Sequence, residues 1–154
     1  MLDLNDVKVL ISAYKYIERT CQAIDNFIFK HAINYGPDPE ISSTENVLNH
    51  IIDLMERKNS LINLKQIIDE NIKSMPVLDR QILIIKMKYR TSIKNLQAIL
   101  KIASERTTFR RIGNAINNFM LKLEKSGHAE YIKSMLESEN LFINFKRTVA
   151  SATL

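Results

Sequence analysis

Residues 92–123 read SIKNLQAILKIASERTTFRRIGNAINNFMLKL, and the spacing within this stretch decides the fold. Ser92 is a capping residue type. Ile93, Leu96, Ile99 and Leu100 follow it on one side of a short helix that runs to about Lys101. Ser104 is a second cap. Phe109, Ile112, Ile116, Phe119 and Leu123 then recur every three or four residues, which predicts a longer helix to about Lys125 with these five turned inward. Only Ile102-Ala103-Ser104 separates the two. A short helix, a three-residue turn and a second helix is the spacing of a helix-turn-helix: the turn sets the interhelical angle, and Ile102 plugs the small core. Ser126-Gly127 ends the second helix.

Working outward, Met75-Pro76 marks a boundary, and Pro76 suits the first turn of a helix to Tyr89 with Leu78, Ile82, Ile85 and Tyr89 inward. Residues 1–75 read as a hairpin of two long helices. The first spans about Asn5–Tyr35, capped by Asn5 and stopped by Gly36-Pro37-Asp38-Pro39. Its apolar stripe is Val7, Leu10, Ile11, Tyr14, Ile17, Cys21, Ile24, Ile28 and His31. The second runs from Ser43 or Thr44 to about Lys73. It carries two seven-spaced series, Val47, Leu54, Leu61, Ile68 and Leu48, Met55, Ile62, with Asn59-Ser60 as a weak point for a break. Residues 128–154 form a last helix from about Ala129, with Ile132, Met135 and Leu136 inward. It extends toward Leu141, Phe142 and Phe145 and frays after Val149. The expectation is an all-α chain in three parts: hairpin 1–75, helix-turn-helix 76–127, and C-terminal helix 128–154.

Composition narrows the function classes. The 154 residues hold three Gly and three Pro, too few chain breakers for a β-sandwich or barrel. No run of about 18 apolar residues exists to cross a membrane. The first six residues carry acids where a signal peptide needs bases, and the single Cys21 forms no intrachain disulfide, so a cytoplasmic protein is expected. The charge is uneven. Residues 1–75 hold 8 Lys/Arg against 11 Asp/Glu, whereas residues 76–125 hold 11 against 3, a net of +8. A positive field confined to fifty residues is the footprint of a polyanion partner.

The second helix of the 92–123 motif supplies the chemistry for such a partner. Ser104, Arg106, Thr107, Thr108, Arg110, Arg111 and Asn114 are the candidate DNA-contacting residues, with Asn117 and Asn118 further along. Arg reads guanine, Asn reads adenine, Thr touches a thymine methyl or a phosphate, and a helix N-terminus capped by Ser104 attracts a phosphate oxygen.

At these residues the chain resembles a family. Leu78-Asp79-Arg80-Gln81-Ile82-Leu83, Ser92 through Leu100, and Ile102-Ala103-Ser104-Glu105-Arg106-Thr107 are similar to the promoter-reading region four of bacterial sigma factors. Ser104 through Ala115 is closer to sigma-like regulators of phages and prophages of the RinA and ArpU type. The resemblance covers about residues 76–125. It implies a transcription regulator that binds double-stranded DNA, contacts RNA polymerase, and has no enzyme activity. Nothing before Met75 resembles the sigma region that melts promoters, so a regulator with a sigma-like reading head is expected in place of a complete sigma factor.

The breadth of the hairpin stripe, wider than one antiparallel helix covers, predicts a homodimer through residues 7–31 and 47–72. The competing arrangement folds the C-terminal helix, with Leu141, Phe142 and Phe145, over that stripe. The rival function is an all-helical interaction module or inhibitor that binds a protein and not DNA. No catalytic, cofactor or metal motif is present: there is no glycine-rich phosphate loop, GxSxG or HExxH. His31 is expected half-buried on the stripe, Cys21 in the core, and Asp69-Glu70 and the 137–139 carboxylates on solvated faces.

Overall fold

The computed structural model describes residues 1–33, 44–89 and 92–152. Every regular element among them is a helix: α1 (Leu4–Ile33), α2 (Thr44–Lys73), α3 (Val77–Tyr89), α4 (Ile93–Leu100), α5 (Glu105–Lys125), α6 (Ala129–Ser138) and α7 (Asn140–Ala152). The chain is all-α over these residues, as its periodicity predicts. None of the helices is long and apolar enough to cross a membrane. The expected stop at Gly36-Pro37-Asp38-Pro39 lies outside the described residues.

The cap of α1 is Asp3 and not Asn5. The Asp6 N–H donates to Asp3 Oδ1 at 2.8 Å, and the Asp3 N–H donates to Asp6 Oδ2 at 3.0 Å. Two helix-start donors are satisfied reciprocally, a capping box with a carboxylate at each end. The first half of α1 is apolar beyond one stripe. Val9 and Ala13 are buried along with Val7, Leu10, Ile11, Tyr14 and Ile17. A helix buried on several sides must be central, and α1 packs against α2, α3, α5, α6 and α7.

That centrality accounts for much of the breadth of the hairpin stripe. The stripe through Ile24 is covered within one chain, because α7 folds back along α1 and sets Phe145 against Tyr16 in a tilted ring contact, 5.3 Å between centroids. Coverage fades toward the far end of the hairpin. Phe27, Phe29, Leu48, Ile52, Met55 and His31 are exposed there. Of the two seven-spaced series on α2, Leu61 and Ile68 are core residues with Val47 and Leu54 half-buried, whereas Leu48, Met55 and Ile62 face outward. The two series lie about 100° apart around the helix, so one partner helix covers only one of them.

α2 runs unbroken through Asn59-Ser60, where the Ser60 carbonyl accepts the Tyr131 hydroxyl at 2.8 Å. The C-terminal segment breaks instead, at Glu139, whose backbone is extended between α6 and α7. Glu139 is 7% exposed, and its carboxylate takes a two-pronged contact from Arg57, Nε donating at 2.8 Å. A fork-to-carboxylate pair of this kind fixes direction as well as distance, so it aims α7 back across the hairpin. α7 stays helical past Val149 to Ala152, where fraying is expected from sequence.

Asp6 ties the other end of the bundle. It is 3% exposed, accepts from Lys133 at 2.7 Å, and lies 3.7 Å from Lys146. Burial works to raise its pKa. The Lys133 hydrogen bond, the Asp3 N–H and the charges of Lys133 and Lys146 outweigh burial and hold it below the ordinary carboxylate range. A carboxyl whose folded pKa is depressed contributes stability that is present above the unfolded pKa and lost as pH falls through the folded one. The stability gap between the parent and Asp6→Asn is therefore expected to be constant near neutrality and to close below about pH 4. Urea unfolding at stepped pH measures it, and a gap unchanged down to pH 2 contradicts the assignment.

Candidate nucleic-acid interface

The α4–α5 unit is built from its caps. Ser92 Oγ accepts the Asn95 N–H at 3.3 Å and starts α4. The helix ends at Lys101 in the left-handed conformation, φ 55° and ψ 40°. The Lys101 N–H donates to Ala98 O and the Ile102 N–H to Gln97 O, at 3.3 and 3.1 Å. This is a Schellman ending, in which the left-handed position usually holds glycine. Here Lys101 takes the left-handed conformation itself, so the turn closes without glycine. Ser104 then caps α5, its Oγ accepting the Thr107 N–H at 3.1 Å and donating to Thr107 Oγ1 at 2.8 Å. Leu96 is buried, Ile93 and Leu100 pack against the core, and Ile102, the expected plug, is half-buried.

The phase of α5 differs from the sequence reading at its first turn. The buried residues are Thr108, Ile112, Ala115, Phe119 and Leu123. Phe109, expected inward, is 54% exposed, and Ile116 is half-buried. Thr108 takes the core position because its hydroxyl has a local partner, donating to Ser104 O at 3.0 Å. A threonine bonded back to the carbonyl four residues earlier brings no unsatisfied group inside. Thr108 is 0% exposed, so this candidate residue faces the core and not solvent. Ile99 and Tyr89, also expected inward, are exposed too.

The other candidates are distributed by the same phase. Arg106, Arg110 and Asn114 recur every four residues on the exposed side, with Gly113 and Asn117 among them. Arg111 is exposed nearer the edge of that side, and Thr107 is half-buried beside the cap. Asn118 is engaged, donating to Asp79 Oδ2 on α3 at 2.8 Å. No carboxylate lies within ion-pair distance of Arg106, Arg110 or Arg111 among the described residues. Phe109 borders Arg106, Arg110 and Gly113 on the helix surface. It is the residue that three–four spacing alone misassigns. The missed signal is that Thr108, Ile112, Ala115 and Phe119 fit the same spacing one position earlier.

Gly113 stands in the interior of α5, where glycine costs about 1 kcal/mol relative to alanine. A Cβ there would meet nothing within 4 Å, so no packing inside the chain requires its absence. Gly113→Ala is expected to stabilise the fold by about 0.5–1 kcal/mol, measured by urea unfolding. If the exposed side takes a partner against the helix backbone, the same variant loses affinity while gaining stability.

Elsewhere, the side chains that resemble chemistry have structural partners. Glu139 is not on a solvated face, because Arg57 holds it in the core. Asp69 is half-buried and accepts from both the Tyr14 hydroxyl and Lys65. Cys21 is buried, and burial pushes its thiol pKa up despite nearby Lys58 and Arg57. No three His, Cys, Asp or Glu side chains are grouped to hold a metal ion among the described residues.

Comparison with protein-family models, with curated proteins and with solved structures finds no match to this chain.

Proposed function

We propose that the chain is a DNA-binding transcription regulator that reads promoter or operator DNA through α5, with α4 bracing it. The observation that carries this reading is the exposed Arg106, Arg110, Arg111 and Asn114 set around Gly113, its arginines in no ion pair among the described residues, on the second helix of a short-turn pair. An unpaired arginine face on such a helix suits major-groove reading. The resemblance of residues 76–125 to sigma region four and to RinA- and ArpU-type regulators points the same way and makes RNA polymerase a second partner. Phe109 joins the set as an apolar contact for a thymine methyl. Thr108 leaves it, and Ser104 and Thr107 act through the helix start as a phosphate site.

A salt titration of binding to random genomic DNA fragments tests the reading. For about five phosphate contacts the slope of log K against log salt is expected near −4 to −5. A flat, weak response rejects it in favour of a helical protein-interaction module. That second reading rests on the apolar side chains exposed at the far end of the hairpin, Phe27, Phe29, Leu48, Ile52 and Met55. Within the DNA reading, this end of the hairpin would join two copies and so two reading heads, which gain affinity by effective concentration. Sedimentation equilibrium decides that point: a mass near 18 kDa independent of concentration rejects the dimer.

A further inference from the structure

Helices α1, α2 and α3 meet around a cavity of about 250 Å3, to which α4 and α5 contribute no lining residue. Four cations line it, Lys65, Lys73, Arg80 and Lys88, with a single carboxylate, Asp69. That carboxylate is already engaged. Its Oδ1 accepts the Tyr14 hydroxyl and its Oδ2 accepts Lys65 Nζ at 3.1 Å. The Lys65–Asp69 pair is neutral as a unit. Burial, and then Asp69, push the Tyr14 hydroxyl pKa up, so Tyr14 adds no negative charge. Lys73, Arg80 and Lys88 have no carboxylate within ion-pair distance among the described residues.

Three like charges lining one cavity repel, and an anion seated among them relieves that repulsion. A guanidinium fork beside two ammonium groups matches a tetrahedral oxyanion carrying two or three negative charges. Ile84 and Met87 supply an apolar wall against which a carbon skeleton attached to such a group can rest.

We propose that this cavity is a phosphate-binding site, separate from the reading face, with Arg80, Lys73 and Lys88 as its ligands. The phosphate can come from a small phosphorylated molecule or from a DNA backbone, and one set of measurements distinguishes the two.

Pyrophosphate is titrated into the full chain by calorimetry at constant ionic strength, with sodium chloride as the reference salt. One saturable site and a rise in melting temperature are expected. Arg80→Gln and Lys88→Gln are each expected to weaken binding about tenfold or more. Lys88 is exposed, so its variant keeps the measurement open if Arg80→Gln misfolds. Arg106→Ala/Arg110→Ala/Arg111→Ala is expected to bind pyrophosphate as the parent does. Unchanged DNA binding by Lys88→Gln assigns the site to a small molecule. A salt slope on DNA that falls by about one for that variant, with pyrophosphate competing against DNA, assigns it to a backbone phosphate. The proposal is overturned if both variants bind pyrophosphate as tightly as the parent. It is also overturned if pyrophosphate acts no differently from sodium chloride while the DNA slope of Lys88→Gln is unchanged.

Discussion

Arg106→Ala/Arg110→Ala/Arg111→Ala is expected to keep the parent's stability within about 0.5 kcal/mol and to lose specific DNA binding by about a hundred- to ten-thousand-fold. All three side chains are exposed and none holds an ion pair among the described residues, so their removal leaves no buried group unsatisfied. Alanine is also a better helix former. A base-reading arginine is worth about 1–3 kcal/mol of discrimination, and three neighbours on one helix add to less than their sum. Electrophoretic or fluorescence titration against a selected operator, beside a thermal melt, measures both quantities. A folded variant that binds as tightly as the parent removes this face from the interface. The single variants sort the roles. One that relaxes preference at one base pair reads a base, and one that weakens all sequences alike holds a phosphate.

The second large effect separates two phenylalanines ten residues apart. Phe119→Ala is expected to destabilise the fold by about 3–5 kcal/mol, because Phe119 is fully buried and its truncation leaves a cavity. Phe109→Ala is expected to change stability by about 0.5 kcal/mol or less, since that ring is 54% exposed. Under the proposed function it costs affinity instead, at positions with a thymine methyl. Urea unfolding of both variants tests the phase of α5 directly. A large loss for Phe109→Ala would restore the phase read from three–four spacing and return Thr108 to the surface.

The two phases illustrate what a periodic pattern conveys. Ile112, Phe119 and Leu123 belong to both, so the existence of α5, its length and its buried side over the last three turns are legible in sequence. The first turn is ambiguous because Thr108 and Phe109 are adjacent and each continues the spacing. Counting apolar residues favours the phenylalanine. The threonine wins because its hydroxyl bonds Ser104 O, a match visible only once the backbone of the capped turn exists. The candidate face shifts with it: Arg106, Arg110 and Asn114 stay outside, Thr108 is withdrawn, and Phe109 is added.

Local chemistry by itself determined the helical class, the caps Ser92 and Ser104, the near extents of α2 to α5, and the basic character of residues 76–125. These rest on spacing, capping preference and charge, all set within a few residues of one another. The tertiary structure alone decided that α7 folds along α1, that the chain breaks at Glu139, and that only one of the two series on α2 is core. It also decided that Lys73, Arg80 and Lys88 share one cavity. The path of α7 and the break before it depend on groups far apart in the chain, Arg57 with Glu139 and Asp6 with Lys133, whose attraction exists only after the helices have packed. A stripe on a helix states that something covers it, while the identity of the cover is settled by which distant partner brings both apolar area and a satisfied charge.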